Sequence, residues 1–249
     1  TSVRASSITI DGGLDRTSTA ATLRLDSSGS IGQEGNLQVN NLTGSSNGGT
    51  KLAGANLIAN LGPFTDNSSD IVINNVRPLA VTGAVSAARL LNLTTTGTIE
   101  SPPSDLTLDA NLSGLAVALH AAGSIAQVGG TIAADTLTGS ASSAVLNNPA
   151  NRISNLGSFT AGGLGQVGTF ILMDAGRLNI TGPVFAANLN LTVGGPLQIG
   201  TAAAPVAHAD EVRSDASHSE RATAASRRQR RDDVAPQERR RRVSVQEHD

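Results

Sequence analysis

The sequence contains no Cys, no Trp and no Tyr among 249 residues, and only one Lys, one Met and four Phe. Without Cys there are no disulfides, no thiolate metal ligands and no Cys nucleophiles. That absence leaves the compartment open, because a chain held by a repeating hydrogen-bond ladder needs no covalent staples. Without large rings, a core must be assembled from Leu, Ile, Val and Ala, which suits a narrow interior repeated at every level better than one roomy core. The apolar runs are only a few residues long, so nothing is expected to span a bilayer as a helix. The chain opens Thr1-Ser2-Val3-Arg4, with neither Met nor an apolar leader. Entry in mid-pattern is expected of a piece of something longer.

What is present is repetition. Gly29-Ser30-Ile31-Gly32-Gln33 returns as Gly123-Ser124-Ile125-Ala126-Gln127, and Leu42-Thr43-Gly44-Ser45 as Leu137-Thr138-Gly139-Ser140. The ten residues from Asn56 to Thr65 return from Asn151 to Thr160, keeping Asn56/Asn151, Ile58/Ile153, Asn60/Asn155 and Phe64/Phe159 in step. Leu79-Ala80-Val81-Thr82-Gly83 matches Leu178-Asn179-Ile180-Thr181-Gly182, and Leu91-Asn92-Leu93-Thr94 matches Leu189-Asn190-Leu191-Thr192. The order is kept while the offset drifts from 94 to 99, the mark of a stacked, quasi-one-dimensional architecture.

The short-range period is two. Ile8-Thr9-Ile10-Asp11, Leu23-Arg24-Leu25-Asp26, Leu37-Gln38-Val39-Asn40, Ile71-Val72-Ile73-Asn74 and Leu106-Thr107-Leu108-Asp109 alternate apolar and polar, and each ends in a residue suited to tight turns. No stretch carries a capped 3.6-residue apolar face, so helix is not the repeating element. Only Asp11-Gly12 and Asn47-Gly48 offer two-residue hairpin turns, which argues against an antiparallel sandwich. The pattern predicts an all-β, right-handed parallel β-helix, with about 20 residues per coil and about ten coils. The repeat region covers 1–206, with two units at about 27–120 and 121–206 and a partial set of coils before them.

Residues 1–206 carry eight basic and eleven acidic side chains, a net of −3. Residues 207–249 carry ten Arg and nine acidic side chains, a net of +1, and contain no Gly, Leu, Ile, Phe or Asn. This low-complexity tail reads as disordered or out of frame, its composition changing abruptly near Thr201-Ala202-Ala203-Ala204-Pro205. A third reading is a nucleic-acid arm formed by Arg227-Arg228-Gln229-Arg230-Arg231 and Arg239-Arg240-Arg241-Arg242, but interleaved acids and the lack of base-stacking aromatics speak against it. No nucleic-acid partner is expected.

The repeated strings G-S-I-x-Q (29–33), L-T-G-S (42–45), N-x-I-x-N-L-G-x-F-T (56–65), L-x-V-T-G-x-V (79–85) and L-N-L-T (91–94), with their second copies, resemble the repeats of large filamentous-haemagglutinin-like bacterial exoproteins. The resemblance covers about residues 5–200. It implies a fragment of a two-partner-secretion or autotransporter-type adhesin, secreted or held at the outer membrane. It further implies an export partner in that membrane and a ligand on a host or neighbouring cell. The NPNG and NPNL motifs of the secretion domain are missing; Asn147-Asn148-Pro149-Ala150-Asn151 is only an echo.

Because some β-helices cleave polysaccharides, the carboxylates are the place to look for chemistry. They are scattered. Asp11 and Asp109 follow matching strands as turn residues. Asp66 and Asp70 share a loop and form the one candidate pair, although Ala161 and Gly165 stand at the same offset in the second unit. Asp135 and Asp174 complete the set to be placed in three dimensions. His120, the only His before residue 207, is expected to be a surface or hydrogen-bonded residue. Gly162-Gly163-Leu164-Gly165 lacks the Lys-Ser/Thr of a phosphate loop and reads as a turn. All four Phe (Phe64, Phe159, Phe170 and Phe185) are expected in the core. The reading is a non-catalytic structural or adhesive stalk, with no catalytic, cofactor or metal residues; a β-helical polysaccharide lyase or hydrolase is the alternative.

Overall fold

A computed structural model describes residues 1–16, 21–97, 104–162 and 168–200, the side chains of 14–16 excepted. The Arg-rich tail, and with it the expected disorder of 207–249, lies outside the described residues, as do Gly163, Leu164 and Gly165. Among the described residues there are twenty-two strands and no helix, and every strand pairing is parallel. No described helix is long and apolar enough to cross a membrane.

The chain winds as a β-solenoid of about nine turns. One column of paired residues runs through it from end to end: Ile8, Ile31, Thr50, Ile71, Leu91, Val117, Leu137, Leu156, Ile180 and Ile199. Successive members are 19 to 26 residues apart, so the expected coil of about 20 is the lower part of the range. Strand alternation sends every second side chain inward. The burial of Leu90–Thr95 and Thr169–Asp174 follows it residue by residue. Each Leu- or Ile-sized side chain so buried contributes about 1.5–3 kcal/mol. Stacking in register lets the next coil cover the same column.

The repeated unit does not close on a whole number of coils. A second column holds Leu23, Leu42, Leu61, Val81, Leu108 and Gln127. Leu137, the counterpart of Leu42, lies ten residues beyond Gln127 and belongs to the first column. Ile125, the counterpart of Ile31, pairs with Leu106 and Ala144 on the side where Leu42 stood. One unit therefore spans about four and a half coils, and the two units present equivalent faces on opposite sides of the solenoid.

The largest single excess lies between the two columns, where 17 residues separate Leu91 from Leu108 against ten from Ile71 to Val81 and from Val117 to Gln127, and a corner also moves along the solenoid. Between the second column and its neighbour the chain advances two residues at Leu23–Leu25 and Leu42–Gly44, three at Leu61–Phe64, four at Val81–Val85 and Leu108–Leu112, and five at Gln127–Ile132. The added residues are turn formers: Gly62-Pro63, then Thr82-Gly83-Ala84, then Asp109-Ala110-Asn111. A flat strand face becomes a corner within a few coils. The second unit repeats the series at Leu137–Gly139, Leu156–Phe159 and Ile180–Val184.

Phe64, Phe159 and Phe170 are fully buried, as expected. Phe159 and Phe170 stack with centroids 4.1 Å apart. Phe185 departs from expectation: it is 40 % exposed, because it pairs with Thr160 in an outward-facing rank.

Candidate functional site

Among the polar groups buried in the solenoid, three constellations bear on the candidate site. The first is an amide pair built once per unit. Gln33 and Asn56, one coil apart, exchange hydrogen bonds through both side-chain amides. Asn56 Oδ1 also accepts from the Leu37 N–H at 2.8 Å, and its Nδ2 donates to the carbonyls of Leu52 and Asn74. In the second unit Gln127 Nε2 donates to Asn151 Oδ1 at 2.9 Å, and Asn151 Nδ2 returns a bond to Gln127 Oε1 at 3.0 Å. Asn151 Oδ1 accepts from Ile132 N–H at 2.8 Å, the match of Leu37. These are the Gln of G-S-I-x-Q and the first Asn of N-x-I-x-N. Their recurrence was legible as repetition, but single letters could not show that they meet across a coil.

The second constellation surrounds Asp66, which is 1 % exposed. Ser46 donates to Asp66 Oδ2 and shares a 2.7 Å hydroxyl contact with Thr50. Asp66 Oδ2 accepts from Gly49 N–H at 2.8 Å and Oδ1 from Ser68 N–H at 3.0 Å, with the Ser69 N–H beside it. Gly49 has φ of 96°, a left-handed turn that favours Gly. Burial opposes the charge of Asp66, but the hydrogen bonds outweigh it and hold the carboxyl below its ordinary range. In the second unit the three places are Ala141, Ala144 and Ala161, all buried. The whole network is exchanged together, and Phe170 stands over Ala144 where Ile71 stands over Thr50.

The third is Asp174, 3 % exposed, at the end of Thr169–Asp174. It accepts from the N–H groups of Ile153 (2.7 Å) and Gly176 (2.9 Å), and burial pushes its carboxyl above the ordinary range.

The remaining candidates are dispersed. Asp70 is half-buried and accepts from the Leu90 N–H at 3.1 Å, while its carbonyl takes the Thr50 N–H. Asp11, Asp109 and Asp135 are exposed. His120 is half-buried, with Nδ1 2.9 Å from Ser140 Oγ, and burial lowers its pKa. No three His, Asp or Glu side chains among the described residues are placed to share a metal ion. Outside, amides and hydroxyls line up between coils: Asn60 Nδ2 donates to Asn41 Oδ1 at 3.0 Å, and Asn179 Nδ2 to Asn155 Oδ1 at 3.2 Å. The only ion pairs among the described residues join Arg4 and Arg24 to Asp26.

No family model matches the chain, and no curated protein or solved structure is significantly similar to it.

Proposed function

We propose that the chain is a non-catalytic stalk segment of a secreted or surface-exposed bacterial exoprotein of the filamentous-haemagglutinin type. In this role the solenoid is a stiff spacer that holds adhesive regions of the longer protein away from the cell. The observation that carries the reading is how the polar interior is spent. Asp66, Asp174 and the two Gln–Asn pairs give their hydrogen bonds to backbone and side chains of adjoining coils, so each coil indexes the next. The outward ranks of Asn, Thr and Ser supply a hydrated, weakly charged exterior. Export through an outer-membrane partner and a ligand on a host or neighbouring cell follow from the same family resemblance.

The reading is tested in two ways. An antibody against the chain, applied to intact source cells and to the medium, is expected to find its epitope at the surface or released; an epitope reached only after lysis overturns the stalk assignment. The purified full chain is also incubated with a panel of neutral and acidic polysaccharides, and reducing ends and unsaturated products are measured. No turnover above a heat-denatured control is expected. Sustained turnover, abolished by Asp70→Asn, would establish the polysaccharide-cleaving alternative.

A further inference from the structure

Asn75 and Asp174 occupy the same place in the two units. Each ends its strand and each accepts through Oδ1 from the N–H of a matching residue one coil below, Ile58 at 2.8 Å and Ile153 at 2.7 Å. Asn75 uses its other atom as a donor, with Nδ2 bonded to the carbonyls of Ile58 (2.9 Å) and Arg77 (2.8 Å). Asp174 has an oxygen there, which accepts from Gly176 N–H. The turn thus presents a donor to Asp174, and Asp174 makes no bond to the Ile153 carbonyl, the match of the Ile58 carbonyl that Asn75 reaches.

We propose that Asp174 is a proton-binding position of the second unit, and that proton uptake there tightens the coils that meet at this carboxyl. In the acid form its O–H donates to the Ile153 carbonyl, as Asn75 Nδ2 does to Ile58. In the ionised form the charge has no cation to face. Arg152, on the strand below, and Arg177, in the following turn, are exposed and make no ion pair with it. The strands Ser143–Leu146, Leu178–Ile180 and Asn188–Val193 that pack around it carry no titratable side chain. A buried carboxylate without a counter-charge favours its neutral form, consistent with the upward direction of its pKa. Since the folded state holds the proton more tightly than the unfolded chain, this group's stabilisation is fully present below the unfolded carboxyl pKa. It is lost as pH rises through the higher folded value.

The test compares the full chain with Asp174→Asn and with Asn75→Asp in urea unfolding and amide exchange. The urea midpoint of Asp174→Asn, taken relative to the wild type, is expected to rise as pH increases from the ordinary carboxylate range to about 7; the change with pH is the readout, because Asn offers an N–H where Asp174 accepts from Gly176. Exchange of the Ile153 and Gly176 amides, corrected for intrinsic rates, is expected to slow in the wild type by up to about tenfold per pH unit as pH falls through the same range, and not in Asp174→Asn. Asn75→Asp is expected to create the same dependence at Ile58. A gap that does not change with pH overturns the proposal. If Asp174→Asn does not fold, flat exchange at Ile58 in Asn75→Asp does so equally.

Discussion

Gly139 lies one coil beneath Phe159, and a Cβ on that glycine would stand 2.3 Å from the Leu119 carbonyl oxygen and 2.6 Å from Cε2 of the ring. The first unit repeats the relationship, with a Cβ on Gly44 2.1 Å from the Leu25 carbonyl oxygen and 2.9 Å from Cε2 of Phe64. The Gly of L-T-G-S is the space into which the Phe of L-G-x-F-T packs. Gly139→Ala is therefore expected to cost about 1–3 kcal/mol or more through overpacking against both the Leu119 carbonyl and the ring, and Phe159→Leu in the same chain to recover only the share due to the ring. Urea unfolding of the two single variants and the double variant checks this; strictly additive losses would show that the ring and the glycine do not compete for space.

The Gln127–Asn151 pair should be costlier to break from the Asn151 side, which also holds the Ile132 N–H and the Met173 carbonyl. Asn151→Ala strands the Ile132 N–H, while the Gln127 amide keeps the Gly130 carbonyl and the Asn148 N–H, so the expected loss is about 1–3 kcal/mol for the one stranded group. A double-mutant cycle with Gln127→Ala is expected to give a coupling of about 0.5–3 kcal/mol. Coupling near zero would mean that the amides are satisfied independently.

The Asp66 network predicts both a sign and a rescue. Its carboxyl is held below the ordinary range, so the stability it supplies is present above the unfolded pKa and is lost as pH falls through the lower folded value. Asp66→Ala alone takes the carboxylate from the Ser46 hydroxyl, which keeps Thr50, and from the Gly49, Ser68 and Ser69 N–H groups. Replacing Ser46, Thr50 and Asp66 together by Ala copies the second unit's Ala141, Ala144 and Ala161, and is expected to cost less than the single change. Acid titration of thermal midpoints for wild type, single and triple variants measures both effects. A triple variant that loses more than Asp66→Ala contradicts the exchange.

Phe185→Ser copies the first unit, where Ser86 stands in the matching outward rank. With the ring 40 % exposed, stability is expected to stay within about 0.5 kcal/mol of wild type by chemical denaturation.

Much of this architecture was legible before any coordinates. Period-two strings such as Leu91-Asn92-Leu93-Thr94 identify strands because alternation is a local property of the extended backbone. The two long matches identify stacking because only a repeating core reuses the same letters in order. Phe185 was misassigned to the core because Val184-Phe185 offers two apolar neighbours, and a two-residue strand does not say which of them faces inward. Asp66 and Asp70 stood out as acids sharing one loop. Their side chains in fact bind different parts of the backbone, Asp66 the turn at Gly49 and its own loop, Asp70 the Leu90 N–H.

The sequence by itself determined the strand class, the parallel stacking and the unit of about 95 residues, since these depend on patterns that neighbouring or equally spaced residues carry. Tertiary structure alone decided the phase. Whether Leu137 stacks over Leu42's column or over Leu91's depends on the summed residues of every intervening coil, and one or two added at Gly62-Pro63 or Thr82-Gly83 shift all that follows. It also decided which polar residues meet: Gln127 with Asn151, Ser46 with Asp66, Asp174 with the Ile153 backbone. Each of these contacts joins residues about one coil apart, and the length of a coil is a property of the closed turn rather than of any string within it.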